Sequence, residues 1–336
     1  MKLLITGGAG FIGSNFARYW TTQHPEDTVV ILDKLTYAGN LQNIADIAAR
    51  VTFVQGDICD TETVRQAMSG CSTVVHFAAE SHVDRSIANP DVFIQTNVLG
   101  THTLLRVARE LNIKRFHHVS TDEVLGQLPL ETDERWDENS PYNPRSPYSA
   151  SKAASDHLVR AYHTTYGLPI TISNCANNYG PYLYPEKLLS LAITNLLEGK
   201  KVPIYGAGDQ VREWLYVEDH CRGIEAILQK GTVGETYFIG PGEQRVSNLE
   251  LIRKVLGMMG KDESDLEFVA DRPGHDQRYA LSIAKIEREL NWHPKVALDD
   301  GLQRMIDWYS ANDIWWKPIK SGDYKKYYAQ QYGTRG

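Results

Sequence analysis

A tyrosine and a lysine stand four residues apart in the segment Tyr148-Ser149-Ala150-Ser151-Lys152. In a helix, residues with this spacing lie on one face. A tyrosine hydroxyl has a pKa of about 10, so it is a poor base at neutral pH unless a nearby positive charge favours the phenolate. A lysine ammonium would supply that charge and let the tyrosine accept a proton from an alcohol. The spacing alone is more typical of a solvated helix face, so the hypothesis depends on the rest of the chain.

Two adjacent carboxylic acids, Asp122 and Glu123, follow Thr121 directly after a strand predicted over 116–120. Two carboxyl groups in different environments can take opposite roles, one as an acid and one as a base. The same pair is also typical of a turn or a helix cap after a strand. The motif by itself leaves both interpretations open.

A glycine-rich segment, GGAGFIG over 7–13, lies between a predicted strand and a predicted helix. Gly7, Gly10 and Gly13 would allow a tight turn, close approach of the backbone to a pyrophosphate, and close packing of helix on strand. The helix N-terminus would add N–H groups and a positive dipole for the phosphates. This context on both sides predicts a dinucleotide site.

Acidic residues predict the adenosine end of that site. Asp33 ends the second predicted strand about 20 residues after the glycines, where an acidic side chain binds the ribose diol and repels a 2′-phosphate. This position favours NAD over NADP, and the neighbouring Lys34 weakens the preference. Asp57 and Ile58 follow the third predicted strand and could meet the adenine, although an ordinary turn is the alternative.

Short β-branched runs alternate with amphipathic runs through the first half of the chain. Parallel strands need helical crossovers, so this alternation predicts an α/β fold with a doubly wound parallel sheet of the Rossmann type. We expect an NAD-binding domain over 1–175 with a return segment over 211–238, and a smaller C-terminal α/β substrate domain over 176–336. The predicted strands are 2–6, 29–33, 51–55, 73–77, 116–120, 170–174, 202–205 and 214–216, and the helices of the first half are 13–20, 62–67, 97–111 and 149–166.

Composition narrows the class of protein. The 336 residues carry a net charge of −7 without a basic run, which argues against a nucleic-acid partner. No apolar run approaches the ~20 residues that span a bilayer, and no secretory signal is visible, so no membrane association is expected. The four cysteines are scattered without CxxC spacing, which argues against disulfides and zinc and predicts a cytoplasmic setting. The histidines show no spacing typical of a metal site.

The glycine motif and the Tyr148–Lys152 pair together resemble the extended short-chain dehydrogenase/reductase superfamily. Epimerases of this superfamily usually carry small residues where Asp122 and Glu123 stand, whereas an adjacent acid pair is typical of the dTDP-glucose 4,6-dehydratase family. The resemblance extends over almost the whole chain through the blocks AAESHVDRS (78–86), NNYGPY (177–182), PEKL (185–188), PIYG (203–206), REWLYVEDH (212–220) and DRPGH (271–275).

The resemblance implies a chemistry in three stages, with NAD as the cofactor. Tyr148 takes the proton of the sugar 4-OH, which Thr121 shares, while C4 gives hydride to NAD⁺. The 4-ketone makes C5–H acidic, so Glu123 is implied as the C5 base and a protonated Asp122 as the acid for the departing 6-OH. Hydride then returns to C6 and C5 is reprotonated, which regenerates NAD⁺. The expected reaction converts dTDP-glucose to dTDP-4-keto-6-deoxyglucose and water; a 4-epimerase or a dehydratase for a UDP-sugar is the alternative.

The motifs and the resemblance together define two sets of expected contacts. Without the block around it, Arg212 would be interpreted as a solvated surface charge. The position of Asn248, just before an apolar run, is also typical of a helix cap. The expected cofactor contacts are Gly7, Gly10, Phe11, Ile12, Gly13, Asp33, Lys34, Asp57, Ile58, Ala78, Ala79, Thr96, Tyr148, Lys152 and Asn178. The expected substrate contacts are Ser81, Thr121, Asn177, Lys187, Leu188, Pro203, Ile204, Tyr205, Arg212, Asn248, Asp271, Arg272 and His275.

Two further features concern assembly and local packing. Relatives in this superfamily build a dimer from the helices that correspond to 97–111 and 149–166, so a homodimer is expected. Leu125 stands where the family usually has tyrosine, which removes a hydroxyl near the acid pair, and the connection over 126–147 is short.

Overall fold

The structure is a computed structural model that describes residues 1–271 and 274–322. Arg272, one of the expected substrate contacts, lies outside these residues. Within them, no helix combines the length and the hydropathy needed to cross a membrane. The strands, in chain order, are β1 (Lys2–Thr6), β2 (Thr28–Asp33), β3 (Val51–Gln55), β4 (Thr73–His76), β5 (Arg115–Thr121), β6 (Ile170–Cys175), β7 (Asn177–Tyr179), β8 (Val202–Tyr205), β9 (Val211–Arg212), β10 (Trp214–Tyr216), β11 (Thr236–Ile239), β12 (Val246–Ser247) and β13 (Leu266–Val269).

Helices connect these strands and cover the sheet. A π-helical stretch, Ile94–Gly100, joins two of them, and 3-10 helices occupy Leu41–Arg50, Asp122–Leu125 and Glu263–Asp265. The α-helices are α1 (Phe11–Gln23), α2 (Thr61–Met68), α3 (Val83–Ala88), α4 (Asp91–Phe93), α5 (Thr101–Glu110), α6 (Pro147–Tyr166), α7 (Leu188–Leu197), α8 (Val217–Lys230), α9 (Asn248–Met258), α10 (Ala284–Leu290), α11 (Leu298–Ala311) and α12 (Asp313–Ser321).

Seven parallel strands form the main sheet in the order β11-β6-β5-β4-β1-β2-β3. Successive side chains of a strand point to opposite faces, so Leu3 and Ile5 pack with the α1 side while Leu4 packs on the other side. Burial on both faces explains why β1 is a continuous apolar run. The strand order reverses between β1 and β4, and ligands of doubly wound sheets bind at such a switch point. The predicted fold class is confirmed.

The last strand of the sheet comes from the second half of the chain. Thr236–Ile239 pairs in parallel with β6, and α8 packs beside α1 on the same face of the sheet. Its four residues are too few to show a period, so the sequence did not predict this strand. The predicted strand over 214–216 forms, but it pairs with Asn177–Tyr179 in a separate two-stranded ribbon.

A second hydrophobic core lies outside the main sheet. It is formed by α7, α9, α11 and α12 together with the parallel pair β8 and β13. Leu189, Ile193 and Leu251 are fully buried within it. Trp315 of α12 donates from its indole nitrogen to the side-chain oxygen of Asn43, at 2.8 Å, which ties this core to the 3-10 helix after β2.

Candidate active site

A cavity of about 370 Å³ opens at the carboxyl ends of the central strands. Every residue expected to contact the cofactor lies in its lining, from the glycine segment over 7–13 to Asn178. Thr121, itself an expected substrate contact, lines the same space with Asp122 and Glu123, as do four further expected substrate contacts. The fold thus brings residues from both halves of the chain into one cavity. Those four substrate contacts are Ser81, Asn177, Lys187 and Leu188.

The glycine turn makes a cradle that side chains would fill. Gly7 has a φ of +70°, and a Cβ there would lie 2.6 Å from the backbone nitrogen of Ala78. A Cβ on Gly13 would collide with the carbonyl oxygen of Gly7. The helix α1 begins directly after Gly10, whose N–H donates to the Gly7 carbonyl at 3.1 Å. Backbone exposed at a helix N-terminus in this way is suited to a pyrophosphate.

Asp33 lies at the end of β2, where its carboxylate already accepts two backbone N–H groups. Ala9 donates to Oδ2 at 2.9 Å and Leu35 donates to Oδ1 at 2.8 Å. Burial raises the pKa of Asp33, and these two hydrogen bonds act in the opposite direction. Lys34 points instead to Asp57, with 2.7 Å between Nζ and Oδ2.

The acid pair is positioned by a short helix at the end of β5. The hydroxyl of Thr121 caps the 3-10 helix Asp122–Leu125 by accepting the N–H of Glu123 at 3.3 Å, and it also lies 3.2 Å from Oδ1 of Asp122. Because Thr121 is the cap, the helix-cap alternative for the acid pair is wrong, whereas the turn alternative holds, since both acids lie in a short helical turn and also line the cavity. Leu125 is 3% exposed and packs in an apolar cluster with Trp136.

Asp122 carries a carboxyl group in an unusual environment. Its side chain is 2% exposed, and Oδ2 has no hydrogen-bond partner among the described residues. Burial raises the pKa of Asp122 well above its usual range, and the neighbouring charge of Glu123 raises it further. Both effects favour the protonated carboxyl group, which is the form that can donate a proton.

The helix α6 presents Tyr148 and Lys152 to the cavity. Ser146 caps it by accepting the N–H of Ser149 at 3.1 Å, and the hydroxyl of Ser149 accepts the N–H of Ser146 at 3.0 Å. Pro147 is the first helical residue, where its missing N–H costs nothing. Because of these local features, the helix begins at Pro147, one residue before Tyr148.

Both functional side chains of this helix are buried. The Lys152 ammonium donates to the carbonyl of Val119 at 2.9 Å, and burial lowers its pKa. Burial and then the charge of Glu123 raise the pKa of Tyr148 well above its usual value, while a hydrogen bond with Thr121 acts against them. A positive charge next to the phenol is needed to make Tyr148 a base here.

The remaining expected substrate contacts lie outside the lining of this cavity within the described chain. His275 and Asp271 approach to 2.6 Å between Nδ1 and Oδ1, and the ring of Tyr205 meets the ring of His275 edge-on at 6.1 Å between centroids. The hydroxyl of Tyr205 lies 3.3 Å from Oδ2 of Asp84 on α3, which connects this group to the rim carrying Ser81.

Three of the expected substrate contacts, Pro203, Ile204 and Arg212, are buried within the protein. Ile204 is 1% exposed in the second core, beside the buried Pro203. Arg212 is 5% exposed, lies 4.1 Å from the ring centroid of Tyr279, and donates to backbone carbonyls that include that of Asp276 at 2.8 Å. The solvated-charge interpretation of Arg212 is therefore wrong.

Asn248 follows the residue that caps α9. Ser247 is the N-cap, since its hydroxyl accepts the N–H of Glu250 and the Glu250 carboxylate accepts the N–H of Ser247. The amide of Asn248 donates instead to Oε1 of Gln210 at 3.3 Å. The helix-cap alternative for Asn248 is wrong.

Some residues of the cavity were not found from the sequence. Tyr37, Tyr184 and Glu186 line it. The guanidinium of Arg85 lies 3.9 Å from the ring centroid of Tyr37 and 3.2 Å from the carboxylate of Glu186. Glu186 lies within a block that carried the resemblance, whereas Tyr37 lies in a loop without any periodic signal.

Comparison with known proteins decides the family. A family model described as GDP-mannose 4,6 dehydratase matches residues 4–305. The dTDP-glucose 4,6-dehydratase of Mycobacterium tuberculosis H37Rv is 48% identical over 328 residues, covering 97% of this chain and 98% of that protein. That of Escherichia coli is 48% identical over an alignment that covers both chains completely. The chain belongs to the dTDP-glucose 4,6-dehydratase family.

Solved structures agree with this membership of the dTDP-glucose 4,6-dehydratase family. DesIV, a dTDP-glucose 4,6-dehydratase from Streptomyces venezuelae solved with NAD and TYD bound, has a TM-score of 0.92 and 52% identity, over 95% of this chain and 100% of that one. A UDP-glucose 4-epimerase from Thermotoga maritima has a TM-score of 0.86 but 27% identity, over 93% and 99% of the two chains. The epimerases share the fold at lower identity, which favours the dehydratase prediction over the epimerase alternative.

Proposed function

We propose that the chain catalyses the conversion of dTDP-glucose to dTDP-4-keto-6-deoxyglucose and water, with NAD as its cofactor. The observation that carries this proposal is the pairing of a buried acid, Asp122, with Glu123 in the cavity that also holds Tyr148 and Lys152. A 4-epimerase needs the tyrosine and the lysine, but it does not eliminate water and so does not need the Asp122–Glu123 pair.

The glycine cradle and Asp33 suit NAD. The close backbone approach at Gly7 and Gly13 matches a pyrophosphate, and the carboxylate of Asp33 at the end of β2 matches a ribose diol. Asp33 also repels a 2′-phosphate, which supports NAD over NADP. When bound there, NAD would supply reversible hydride transfer, as an acceptor for the hydride of C4 and, after loss of water, as the donor of hydride to C6 while C5 regains a proton.

The first proton transfer falls to Tyr148. Its phenolate takes the proton of the 4-OH, and Lys152 on the next turn of α6 stabilises that phenolate. Thr121, in hydrogen-bond contact with Tyr148, shares the same hydroxyl. Lys152 is held in place by its hydrogen bond to the carbonyl of Val119. A bound nicotinamide ring, positive before the transfer, would also favour the phenolate.

Elimination of water then needs both acids. The 4-ketone acidifies C5–H, Glu123 removes that proton, and Asp122 protonates the departing 6-hydroxyl. The buried Oδ2 of Asp122, which has no partner in the described part of the chain, is available to that hydroxyl. Oδ1 of Asn177 is likewise buried and without a described partner, and we assign it to a sugar hydroxyl.

The nucleotide and diphosphate are assigned to the second half of the chain. We assign to this role the residues Lys187, Leu188, Pro203, Ile204, Tyr205, Arg212, Asn248, Asp271, Arg272 and His275. We propose a substrate domain over 176–336 that covers an NAD domain over 1–175, with the segment 211–238 returning to the NAD domain. Arginine is suited to a diphosphate through its planar set of donors. A dehydratase for a UDP-sugar is the second candidate, and the assay below separates the two.

The assay incubates the enzyme with dTDP-glucose and with UDP-glucose separately in D₂O. We expect a 4-keto-6-deoxy product from dTDP-glucose, with deuterium at C5 and no net NADH. Recovery of a C4 epimer, or product from UDP-glucose alone, would refute the proposal. Glu123→Gln should still oxidise C4 in a single turnover yet release no 6-deoxy product, because C5–H then lacks its base. Unchanged turnover of this variant would contradict the role of Glu123.

We also propose a homodimer. The stretch from α3 to α5 exposes an apolar row, Ile87, Val92, Ile94 and Leu99, each between 42 and 48% exposed. Tyr166 at the end of α6 is 49% exposed. Several exposed apolar side chains in one region of the chain are typical of a protein interface. Leu99 and Tyr166 lie in the segments 97–111 and 149–166, which correspond to the helices through which relatives of the superfamily form dimers, and Ile87, Val92 and Ile94 lie just before the first of these segments.

Light scattering on Leu99→Glu tests the dimer. A charge in the buried interface should yield a monomer, whereas Ile314→Glu on α12, at a site 81% exposed, should leave the dimer intact. A monomeric wild type would contradict the proposal.

We place the protein in the cytoplasm, because its four cysteines are free thiols that a reducing compartment maintains.

A further inference from the structure

A buried carboxylate that the proposed mechanism does not use lies behind the catalytic residues. Asp156 is fully buried on α6, one turn after Lys152. Buried charges in proteins are paired or hydrogen-bonded, because a carboxylate without partners would take up a proton instead. The groups around Asp156 therefore indicate what it does.

Hydrogen bonds join Asp156 to three other segments of the chain. Its Oδ2 accepts the hydroxyl of Ser120 on β5 at 2.8 Å and the hydroxyl of Tyr142, in the connection over 126–147, also at 2.8 Å. The amide of Asn174 on β6 donates to the same oxygen at 3.5 Å. Nε2 of His118 on β5 lies 3.1 Å from Oδ1.

These partners border the acid pair directly. Ser120 is the residue before Thr121, and Asn174 donates its amide to the carbonyl of Thr121 at 2.9 Å. Asp156 thus holds both sides of the strand end that carries the acids. Because it lies on the same helix as Tyr148, it couples the position of the tyrosine to that of Thr121.

Asp156 also faces the charge of Lys152. Burial alone would raise the pKa of Asp156, but the nearby imidazole of His118, the charge of Lys152 and the hydrogen bond from Ser120 hold it below its usual value. Burial lowers the pKa of His118 to about 4, so this histidine is neutral at pH 7. Arg160, whose charge also acts on His118, donates to the Tyr142 hydroxyl at 2.9 Å.

The consequence for Lys152 follows from its burial. Burial lowers the pKa of Lys152, and the charge of Asp156 opposes that effect. Removing the negative charge would make it easier for Lys152 to lose its proton, and Tyr148 would then lose the cation that stabilises its phenolate. Asp156 therefore influences the base without touching the substrate.

We propose that Asp156 is a positioning residue: its carboxylate fastens the helix bearing Tyr148 and Lys152 to the end of β5 and keeps Lys152 charged. The inference rests on the proposed function, in which Tyr148 is the base. Asp156→Asn preserves the shape and one acceptor oxygen while removing the charge, so it separates this role from simple packing.

Steady-state kinetics provide the first test. For Asp156→Asn we expect normal NAD content, a KM for dTDP-glucose close to that of the wild type, and a kcat lower by about 10- to 100-fold, the loss typical of misplaced catalytic groups. Tyr142→Phe keeps the charge and removes one hydrogen bond, so its kcat should fall less. The matched control is Ser173→Ala, at a residue on the same strand as Asn174. This variant removes a buried 3.1 Å hydrogen bond between Ser173 and His117 and should leave kcat unchanged.

The second test needs no sugar nucleotide. The ionisation of Tyr148 is followed by its phenolate absorbance in the NAD complex, as the difference between each variant and the same variant carrying Tyr148→Phe. In Asp156→Asn the titration should move to higher pH, because Lys152 no longer holds its proton firmly; Ser173→Ala should titrate like the wild type.

The outcomes separate this inference from the proposed function. A wild type that does not turn over dTDP-glucose contradicts the proposed function, while the phenolate titration still decides the role of Asp156. Asp156→Asn with wild-type kcat and titration would overturn the inference. A second result would also overturn the inference: kcat falls only in proportion to the loss of folded, NAD-loaded enzyme, and the titration of Tyr148 does not shift. Asp156 would then have a structural role only.

Discussion

Replacing Asp122 by Asn removes an acid while keeping the shape of its side chain. The carboxyl group is 2% exposed, and burial followed by the charge of Glu123 raises its pKa well above the usual range. A protonated Asp122 can protonate the departing 6-hydroxyl, which an amide cannot do. General acid catalysis contributes about 10²- to 10⁴-fold. We therefore expect kcat for dehydration to fall by that factor, equivalent to about 3 to 5 kcal/mol of transition-state stabilisation.

The stages that precede elimination should survive in this variant, because Tyr148, Lys152 and Glu123 are unchanged. Single-turnover absorbance should record NADH formation, and substrate recovered from D₂O should carry deuterium at C5 while little 6-deoxy product forms. A kcat near the wild-type value would refute the role of Asp122 as the acid. Equal loss of C5 exchange would refute the assignment of separate roles to the two carboxyl groups.

Stability provides an independent measure of the same pKa. The pKa of Asp122 is raised in the folded state above its ordinary 3.8, so its contribution to stability is complete below that value and is lost as pH rises through the folded pKa. Asp122→Asn has no such loss, so its Tm relative to the wild type should increase with pH. The control, Asp219→Asn, removes a buried carboxylate that accepts the N–H groups of Lys295 and Val296, and should lower Tm without changing kcat.

Two further variants test other parts of the site. Gly13→Ala places a Cβ against the carbonyl oxygen of Gly7, so NAD binding measured by fluorescence should weaken strongly; Gly257→Ala, where a Cβ meets nothing within 4 Å, should leave it unchanged. Burial raises the pKa of Glu213 to about 7, a shift worth roughly 3 kcal/mol that is lost as pH rises through that value. Glu213→Gln should therefore flatten the fall of Tm between mildly acidic and mildly alkaline pH, and an unchanged slope would contradict the assigned pKa.

The part of the fold nearest the N-terminus could be predicted from the sequence because its determinants are local. The glycine turn over 7–13 depends on the absence of side chains at particular positions, and the apolar run of β1 reflects burial on both faces of a parallel sheet. The i, i+4 spacing of Tyr148 and Lys152 depends on helical geometry alone. By contrast, Thr236–Ile239 is a strand because β6 offers it an edge, and nothing within its four residues indicates that pairing.

Much of the site is likewise a matter of residue types and spacing: the glycines, Asp33, the acid pair, and the tyrosine with its lysine. Only the tertiary structure determines their chemical state, because desolvation of a group depends on every segment packed around it. The pKa of Asp122 is raised because the fold buries its carboxyl group beside Glu123. The contacts of Asp156 with β5, β6 and the 126–147 connection arise in the same way, since residues distant in sequence meet only when the sheet and α6 come together.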